Sequence, residues 1–324
     1  MGIIFGNPQE KHKPCDNELP STSWDTESRS PFVALSQKRG KRKALDDDGP
    51  VETKKRRLDP SAMFKAKYEQ LKEFGKGGSG FVLAGYRKAD HLPVAIKYIP
   101  RHKVVHYHKD NTGKLIPMEV AIMLKIAAES ERHSATIDLL DWYDLEREVI
   151  LVLERPMPAV DLLKYMNAKG GCLNETESKI ILRQLVDAAI DLHRKHIFHR
   201  DIKVENVLIE TCTDRIRIRV IDFGASCFFK EGDAFEDFRG THIPPEFFSR
   251  KKYKAGPSTV FQMGVLLYNL VQPTSFRWEL YCQEGQRITG EHSENCRDFL
   301  MACLHEDPDQ RLTLEQLRSH LWLR

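Results

Sequence analysis

The run Gly75-Lys76-Gly77-Gly78-Ser79-Gly80-Phe81-Val82 is flanked on both sides by β-like sequence, and that context limits the folds open to this chain. In a dinucleotide-binding fold the last glycine of a G-x-G-x-x-G run opens a helix. Here it opens a strand, Gly80 to Tyr86, so the run reads as a hairpin whose backbone can lie close over phosphates. An ordinary hairpin would account for it equally well. A second β-like run, Pro93 to Ile99, contains Val94-Ala95-Ile96-Lys97, with the lysine fifteen residues past Val82. A third covers Glu148 to Leu153.

Helical patterns dominate further along. Asn174, with Glu177 three residues later in the manner of a capping box, opens the longest, which carries Ile181, Leu185, Ala188 and Leu192 on one face. That face is expected to be buried. Further helices are predicted over 117–125, 258–271, 295–304 and 313–320, and no internal repeat is visible. Strands early and helices late describe an α+β domain beginning near Tyr68.

The chain has 324 residues, 41% apolar and 30% charged, which suits a soluble globular protein of one large domain or two ordinary ones. Its longest apolar runs, Val149 to Leu153 and Met263 to Leu267, fall far short of the roughly 18 to 20 residues a membrane span needs, so no membrane anchor is expected. No basic segment leading into an apolar stretch opens the sequence, and thiols are expected to stay reduced. The seven cysteines (Cys15, Cys172, Cys212, Cys227, Cys282, Cys296, Cys303) are odd in number and never spaced C-x-x-C, which indicates neither a disulfide framework nor a zinc cage. A net charge of +3 leaves any acidic partner to be argued from local clusters.

One such place is the first 64 residues, rich in Pro, Ser, Thr, Asp and Lys and without apolar periodicity, which are expected to be a disordered basic extension. Lys38-Arg39-Gly40-Lys41-Arg42-Lys43 and Lys54-Lys55-Arg56-Arg57, with a ten-residue spacer between them, resemble a bipartite nuclear-import signal. A solvated charge run and a nonspecific nucleic-acid tail remain open, though Asp46, Asp47 and Asp48 would repel phosphate. Met1-Gly2 invites a myristoylation reading that Gly6, standing where Ser or Thr is needed, removes.

The segment with most chemistry is His199-Arg200-Asp201-Ile202-Lys203-Val204-Glu205-Asn206, followed sixteen residues after Asn206 by Asp222-Phe223-Gly224. Phosphoryl transfer needs a carboxylate to orient a hydroxyl, a cation to offset charge on the moving group, and metal-holding oxygens from different segments. Asp201, Lys203, Asn206 and Asp222 supply these in order. Glu119, on the helix after Pro117, can pair with Lys97 and hold its ammonium in place.

At these motifs the chain resembles the eukaryotic protein kinases, over about Tyr68 to Arg324, with Lys203 favouring the serine/threonine branch. Within them, Leu151-Val152-Leu153-Glu154-Arg155-Pro156, Pro117-Met118-Glu119-Val120 and Pro244-Pro245-Glu246 resemble the PIM kinases. The resemblance implies a bilobal α+β fold: an N-lobe over 65–154, small and mainly β with one key helix, a hinge over 154–159, and a larger, mainly α C-lobe over 160–324. It implies ATP and Mg2+ as cofactors. Asp201 and Lys203 would be catalytic, and Asn206 and Asp222 would hold metal. Phe74, Gly75, Lys76, Gly77, Gly78, Ser79, Gly80, Val82, Ala95, Lys97, Glu119, Glu154, Leu208 and Ile221 would line the ATP site. Pro156 has no N–H, so adenine would lack one usual hinge bond and lean on the Glu154 carbonyl and apolar contacts. Protein substrates with upstream arginine, an import receptor, a monomeric state, and residence in nucleus and cytoplasm are the expected associations, with no membrane and no sequence-specific nucleic acid.

The departures are informative too. Two fewer residues separate Thr241 from Pro244 than in PIM kinases, which raises the alternative of a pseudokinase scaffold; retention of every phosphate and metal residue argues against it. A nucleic-acid-binding protein has only the basic tail in its favour. Thr259 stands where most kinases carry a loop-anchoring aspartate, as PIM kinases also do without it, and Phe261 replaces the usual tryptophan. Glu246 is expected to pair with Arg311. Of four carboxylate positions that would bind substrate arginines, Asp161 and Glu205 are kept, while Lys164 and Val204 occupy the others, which implies a preference for a single upstream arginine. Ser226 and Thr241 are the only hydroxyl side chains between Asp222 and Glu246. With Glu236 and Asp237 placed to pair with Arg200, activity is expected without loop phosphorylation. His102, His106 and His108 read as a solvated loop, and Trp142-Tyr143 and Phe247-Phe248 as core.

Overall fold

The computed structural model describes residues 59–129, 135–211, 215–283 and 288–324. The first described element is helix α1 (Pro60–Lys67), where the Asp59 side chain accepts the Ser61 N–H and Pro60 occupies the first turn. Phe64 fixes it in place: 2% exposed, it meets Tyr98 and Tyr143 edge to face. The unstructured extension expected over 1–64 therefore overlaps a helix by its last residues, because one aromatic anchor among polar neighbours leaves no periodic signal. Both basic clusters lie outside the described residues.

Strands β1 (Tyr68–Lys76), β2 (Phe81–Arg87) and β3 (Pro93–Pro100) run antiparallel, followed by a short hairpin of β4 (Tyr107–Lys109) and β5 (Leu115–Pro117) and helix α2 (Met118–Glu129). With β6 (Leu139–Asp144) and β7 (Glu148–Glu154) they close a five-stranded sheet in the order β1-β2-β3-β7-β6. Alternation along β3 and β7 is replaced by near-complete burial, since helices and strands cover both faces.

Past the hinge come β8 (Ala159–Asp161), α3 (Leu162–Ala168), α4 (Glu175–Arg194) and β9 (Ile197–Phe198). A one-turn 3-10 helix (Val204–Asn206) leads into β10 (Val207–Glu210) and β11 (Arg217–Val220), then β12 (Cys227–Phe228) and β13 (Ala234–Phe235). The remainder is helical apart from β14 (Tyr253–Lys254): α5 (Pro245–Arg250), α6 (Ala255–Val271), α7 (Trp278–Gln283), α8 (Glu294–Cys303) and α9 (Leu314–Arg318). The structure is thus the expected α+β bilobal kinase fold.

Asn174 caps α4 by accepting the Glu177 N–H at 2.9 Å, and Glu177 returns its carboxylate to the Asn174 side-chain amide rather than to its backbone. Ile181, Leu185, Ala188 and Leu192 are buried as their spacing requires. Helix α6, buried on nearly every side, forms the centre of the large lobe. A second apolar cluster crosses between the lobes, joining Ala95, Val120 and Leu151 to Leu192, Ile197 and Phe223. Of the four aromatics expected in the core, Tyr143 is buried and Trp142 and Phe247 pack against buried clusters, but Phe248 is 57% exposed on the outer face of α5.

Candidate active site

The glycine-rich turn connects β1 to β2, with the Gly77 N–H bonded to the Gly80 carbonyl at 2.8 Å. Gly80 is set by packing: a Cβ there would sit 1.8 Å from the Tyr98 carbonyl oxygen of β3. Gly77 and Gly78 face open space, so their backbone remains approachable, and Lys76 and Ser79 share this rim. Gly75 pairs with Val82 across the hairpin. Val82, Ala95 and Ile221 come together in the interlobe apolar cluster. Leu208 stands half-buried on β10, paired with Asp161 and Arg219. Phe74 is 49% exposed, its ring covered by the Arg155 guanidinium 5.2 Å away, a contact that ties the turn to the hinge.

Beneath the turn, Lys97 Nζ lies 2.7 Å from Glu119 on α2 and 2.7 Å from Asp222. Burial pulls the Lys97 ammonium toward neutrality, but the two carboxylates outweigh it and its pKa is raised. The Lys97 charge holds the Asp222 carboxyl down at about 2. Glu119 is pushed up by burial, against the pull of Lys97. At the hinge, Glu154 accepts from Arg219 at 3.1 Å, which also bonds Glu210 at 2.8 Å. Burial raises the Glu154 carboxyl, and Arg219 opposes the shift.

Asp201 sits where three segments converge. Its Oδ1 accepts the Thr241 N–H at 2.7 Å, and its Oδ2 accepts Lys203 Nζ at 2.8 Å and Asn206 Nδ2 at 3.1 Å. Lys203 also donates to Thr241 Oγ1 at 2.8 Å. Gly240 makes this possible: at φ +120 its missing side chain lets the chain pass the Arg200 carbonyl, which a Cβ would meet at 2.4 Å. His199 accepts the Asp201 N–H on Nδ1, so its Nε2 carries the proton toward the Ile221 carbonyl. Burial lowers the His199 pKa, in keeping with that neutral ring.

Asn206 turns its amide nitrogen to the Asp201 carbonyl as well, at 2.8 Å, which directs its oxygen elsewhere. That oxygen and the carboxylate of Asp222 form a hard, all-oxygen donor set of the kind magnesium takes alongside phosphate. The residues therefore fit the metal. A second possible ligand group, Glu175, His292 and Cys296, is different in character, since the Glu175 oxygens already accept from Ser293 and Trp322.

Asp161 caps α3 and pairs with Lys164, while Glu205 stands exposed on the 3-10 turn. Of the two acids expected near Arg200, only Asp237 faces it, at 3.7 Å; Glu236 turns outward to Lys252 at 3.0 Å. The Arg200 guanidinium lies over the Phe235 ring at 4.5 Å. Glu246 and Arg311 form a bidentate pair at 2.6 and 3.0 Å.

The residue sequence reasoning missed is Gln262, whose side chain bonds the backbone on both sides of Asp201. A lone amide inside the apolar run Val260 to Leu267 was the available signal.

A family model for the protein kinase domain matches residues 68–323. The chain belongs to the protein kinase family. Its similarity extends to the serine/threonine-protein kinase pim-2 of Danio rerio, 34% identical over 270 residues covering 80% of this chain and 86% of that protein. The serine/threonine-protein kinase prk-2 of Caenorhabditis elegans is 31% identical over 274 residues, 81% of this chain and 59% of that one. The PAS domain-containing serine/threonine-protein kinase of Mus musculus is 30% identical over 267 residues, 79% of this chain and 18% of the relative. Members of this family transfer phosphate from ATP to proteins with a divalent metal, and the relatives named above are serine/threonine kinases. No described helix is long and apolar enough to cross a membrane.

Proposed function

We propose that this kinase is an active, PIM-type enzyme, transferring the γ-phosphoryl group of ATP to serine or threonine near an upstream arginine, with no need of loop phosphorylation. The observation that carries activity is the Asp201 cluster: the carboxylate is held by Thr241, Lys203 and Asn206, with Lys97, Glu119 and Asp222 closed together beside it. Asp201 orients the substrate hydroxyl, and Lys203 offsets charge on the transferred group. Lys97 has a third N–H beyond those directed at Glu119 and Asp222, available to phosphate oxygens. Magnesium, when held by Asn206 and Asp222, neutralises charge on the phosphates.

Identity alone does not single out the PIM branch, since a PAS domain kinase reaches 30%. The hinge proline does more: Pro156 offers no N–H, so adenine binding leans on the Glu154 carbonyl and on Val82, Ala95 and Ile221. Asp161 and Glu205 are the anionic positions for a basic substrate, and Lys164 restricts their use. A monomer acting in nucleus and cytoplasm, carried by an import receptor bound to the two basic clusters, completes the reading.

The deciding experiment is phosphotransfer from labelled ATP with magnesium to a basic peptide library. Wild type should label peptides with one arginine upstream of Ser or Thr, and Asp201→Asn should lose at least 100-fold. Equal labelling by both would refute the reading.

A further inference from the structure

Helix α6 is buried along nearly its full length, so each polar side chain in it must find a partner inside the protein. Gln262, 2% exposed, finds both of its partners in the catalytic loop. Its Nε2 donates to the Arg200 carbonyl oxygen at 2.5 Å, and its Oε1 accepts the Ile202 N–H at 3.3 Å. The two bonds bracket Asp201.

The loop they grip is bent. Arg200 has φ +69, a left-handed conformation that costs a non-glycine residue about 1 kcal/mol or more. Such a bend persists only where surrounding groups hold it. Thr259, one turn earlier on α6, stands where most kinases place an anchoring aspartate, yet its hydroxyl is directed elsewhere. It donates to the Ala255 carbonyl at 2.8 Å and therefore accepts from His193 Nε2 at 3.1 Å. A buried amide, with a donor and an acceptor on one planar group, matches a peptide C=O and the N–H two residues on. It adds no charge beneath Asp201.

We infer that Gln262 is a positioning residue, clamping the catalytic loop in its strained form and so aiming the Asp201 carboxylate. It acts through Asp201 and touches no substrate. The rate effect rests on the kinase reading above, whereas the effect on the loop does not.

The test uses the full chain carrying Gln262→Met, similar in size but without either bond, beside Thr259→Val. For Gln262→Met, kcat should fall roughly 10- to 100-fold, as small misplacements of catalytic groups do. KM for ATP, and the Kd of a fluorescent ATP analogue, should stay within twofold. Amide hydrogen exchange over residues 198–206 should quicken at least tenfold, with α6 unchanged. Thr259→Val should keep kcat within threefold and leave exchange in the loop as in wild type. Wild-type kcat and exchange in Gln262→Met would overturn the inference, as would equal losses of rate and nucleotide affinity with α6 itself exchanging faster. If wild type transfers no phosphate, the kinase reading fails, and exchange at 198–206 still decides the clamp.

Discussion

Lys164 Nζ lies 2.8 Å from Asp161 Oδ2, while the other oxygen of the same carboxylate caps helix α3 through the Lys164 N–H, also at 2.8 Å. Under the proposed substrate preference, an arriving guanidinium would have to displace an ammonium already in place. Because the lysine side chain is 71% exposed, the pair contributes at most about 1 kcal/mol. Lys164→Glu removes the competitor and adds a second anion without touching the backbone cap. For a peptide with a second upstream arginine, kcat/KM should rise about 3- to 10-fold, with little change for a single-arginine peptide. An unaltered ratio between the two peptides in steady-state kinetics would refute the assignment.

The proposal of activity without loop phosphorylation is supported by where the hydroxyls are. Ser226 is buried and donates to the His199 carbonyl at 3.1 Å, and Thr241 is engaged with Lys203 and Asp201. Asp237 supplies the anion opposite Arg200. Phosphatase treatment should leave the rate unchanged, whereas Asp237→Asn should lower it about two- to fivefold, the scale of a half-exposed ion pair. A tenfold loss on phosphatase treatment would contradict this.

The Glu246–Arg311 pair should matter to stability far more than surface pairs do. Both side chains are almost wholly buried, and Arg311 donates as well to the His305 and Pro257 carbonyls. Glu246→Ala leaves a buried guanidinium without its counter-charge, a change that costs about 3–5 kcal/mol. Urea unfolding should show that loss, and the double variant Glu246→Ala/Arg311→Met should be less destabilised than the sum of the singles.

Motif residues were legible because their chemistry demands particular side chains at fixed intervals: Lys97, Glu119, Asp201, Asn206 and Asp222 meet as their order in the chain suggested. The helix core was legible for a different reason, the periodic burial that α4 displays. What escaped depends on contacts between distant segments. Phe64 needs Tyr98 and Tyr143 to become an anchor, and only the folded chain assigns Asp237 to Arg200 and Glu236 to Lys252. Gln262 stands out locally as a lone amide in an apolar run, but only its contacts with Arg200 and Ile202 make it a clamp.

Nuclear entry should require both basic clusters, since one cluster alone offers only half of the paired contacts of a bipartite signal. Replacing Lys54, Lys55, Arg56 and Arg57 with alanine should leave a fluorescently tagged chain largely cytoplasmic. Undiminished nuclear accumulation would mark the run as a solvated tail.

Stability should fall on mild acidification, and His193 gives the sign. Thr259 directs its hydroxyl hydrogen to Ala255, so it can only accept from His193, which places a proton on Nε2, while burial favours the neutral ring. Burial lowers the His193 pKa to about 4, against roughly 6.5 in an unfolded chain. Between those values the unfolded state binds the extra proton, so stability is complete above about pH 6.5 and declines as pH falls toward 4. Burial lowers His199, His242 and His106 as well, and they act in the same direction. For His193 alone, after allowance for its partial exposure, the loss is on the order of 1–2 kcal/mol. His193→Gln keeps a donor for Thr259 but cannot titrate. In urea titrations at pH 7, 6 and 5 it should therefore lose less stability than wild type, by about 1 kcal/mol across the range. Parallel pH profiles for the two proteins would show that the buried ring is not the group being protonated.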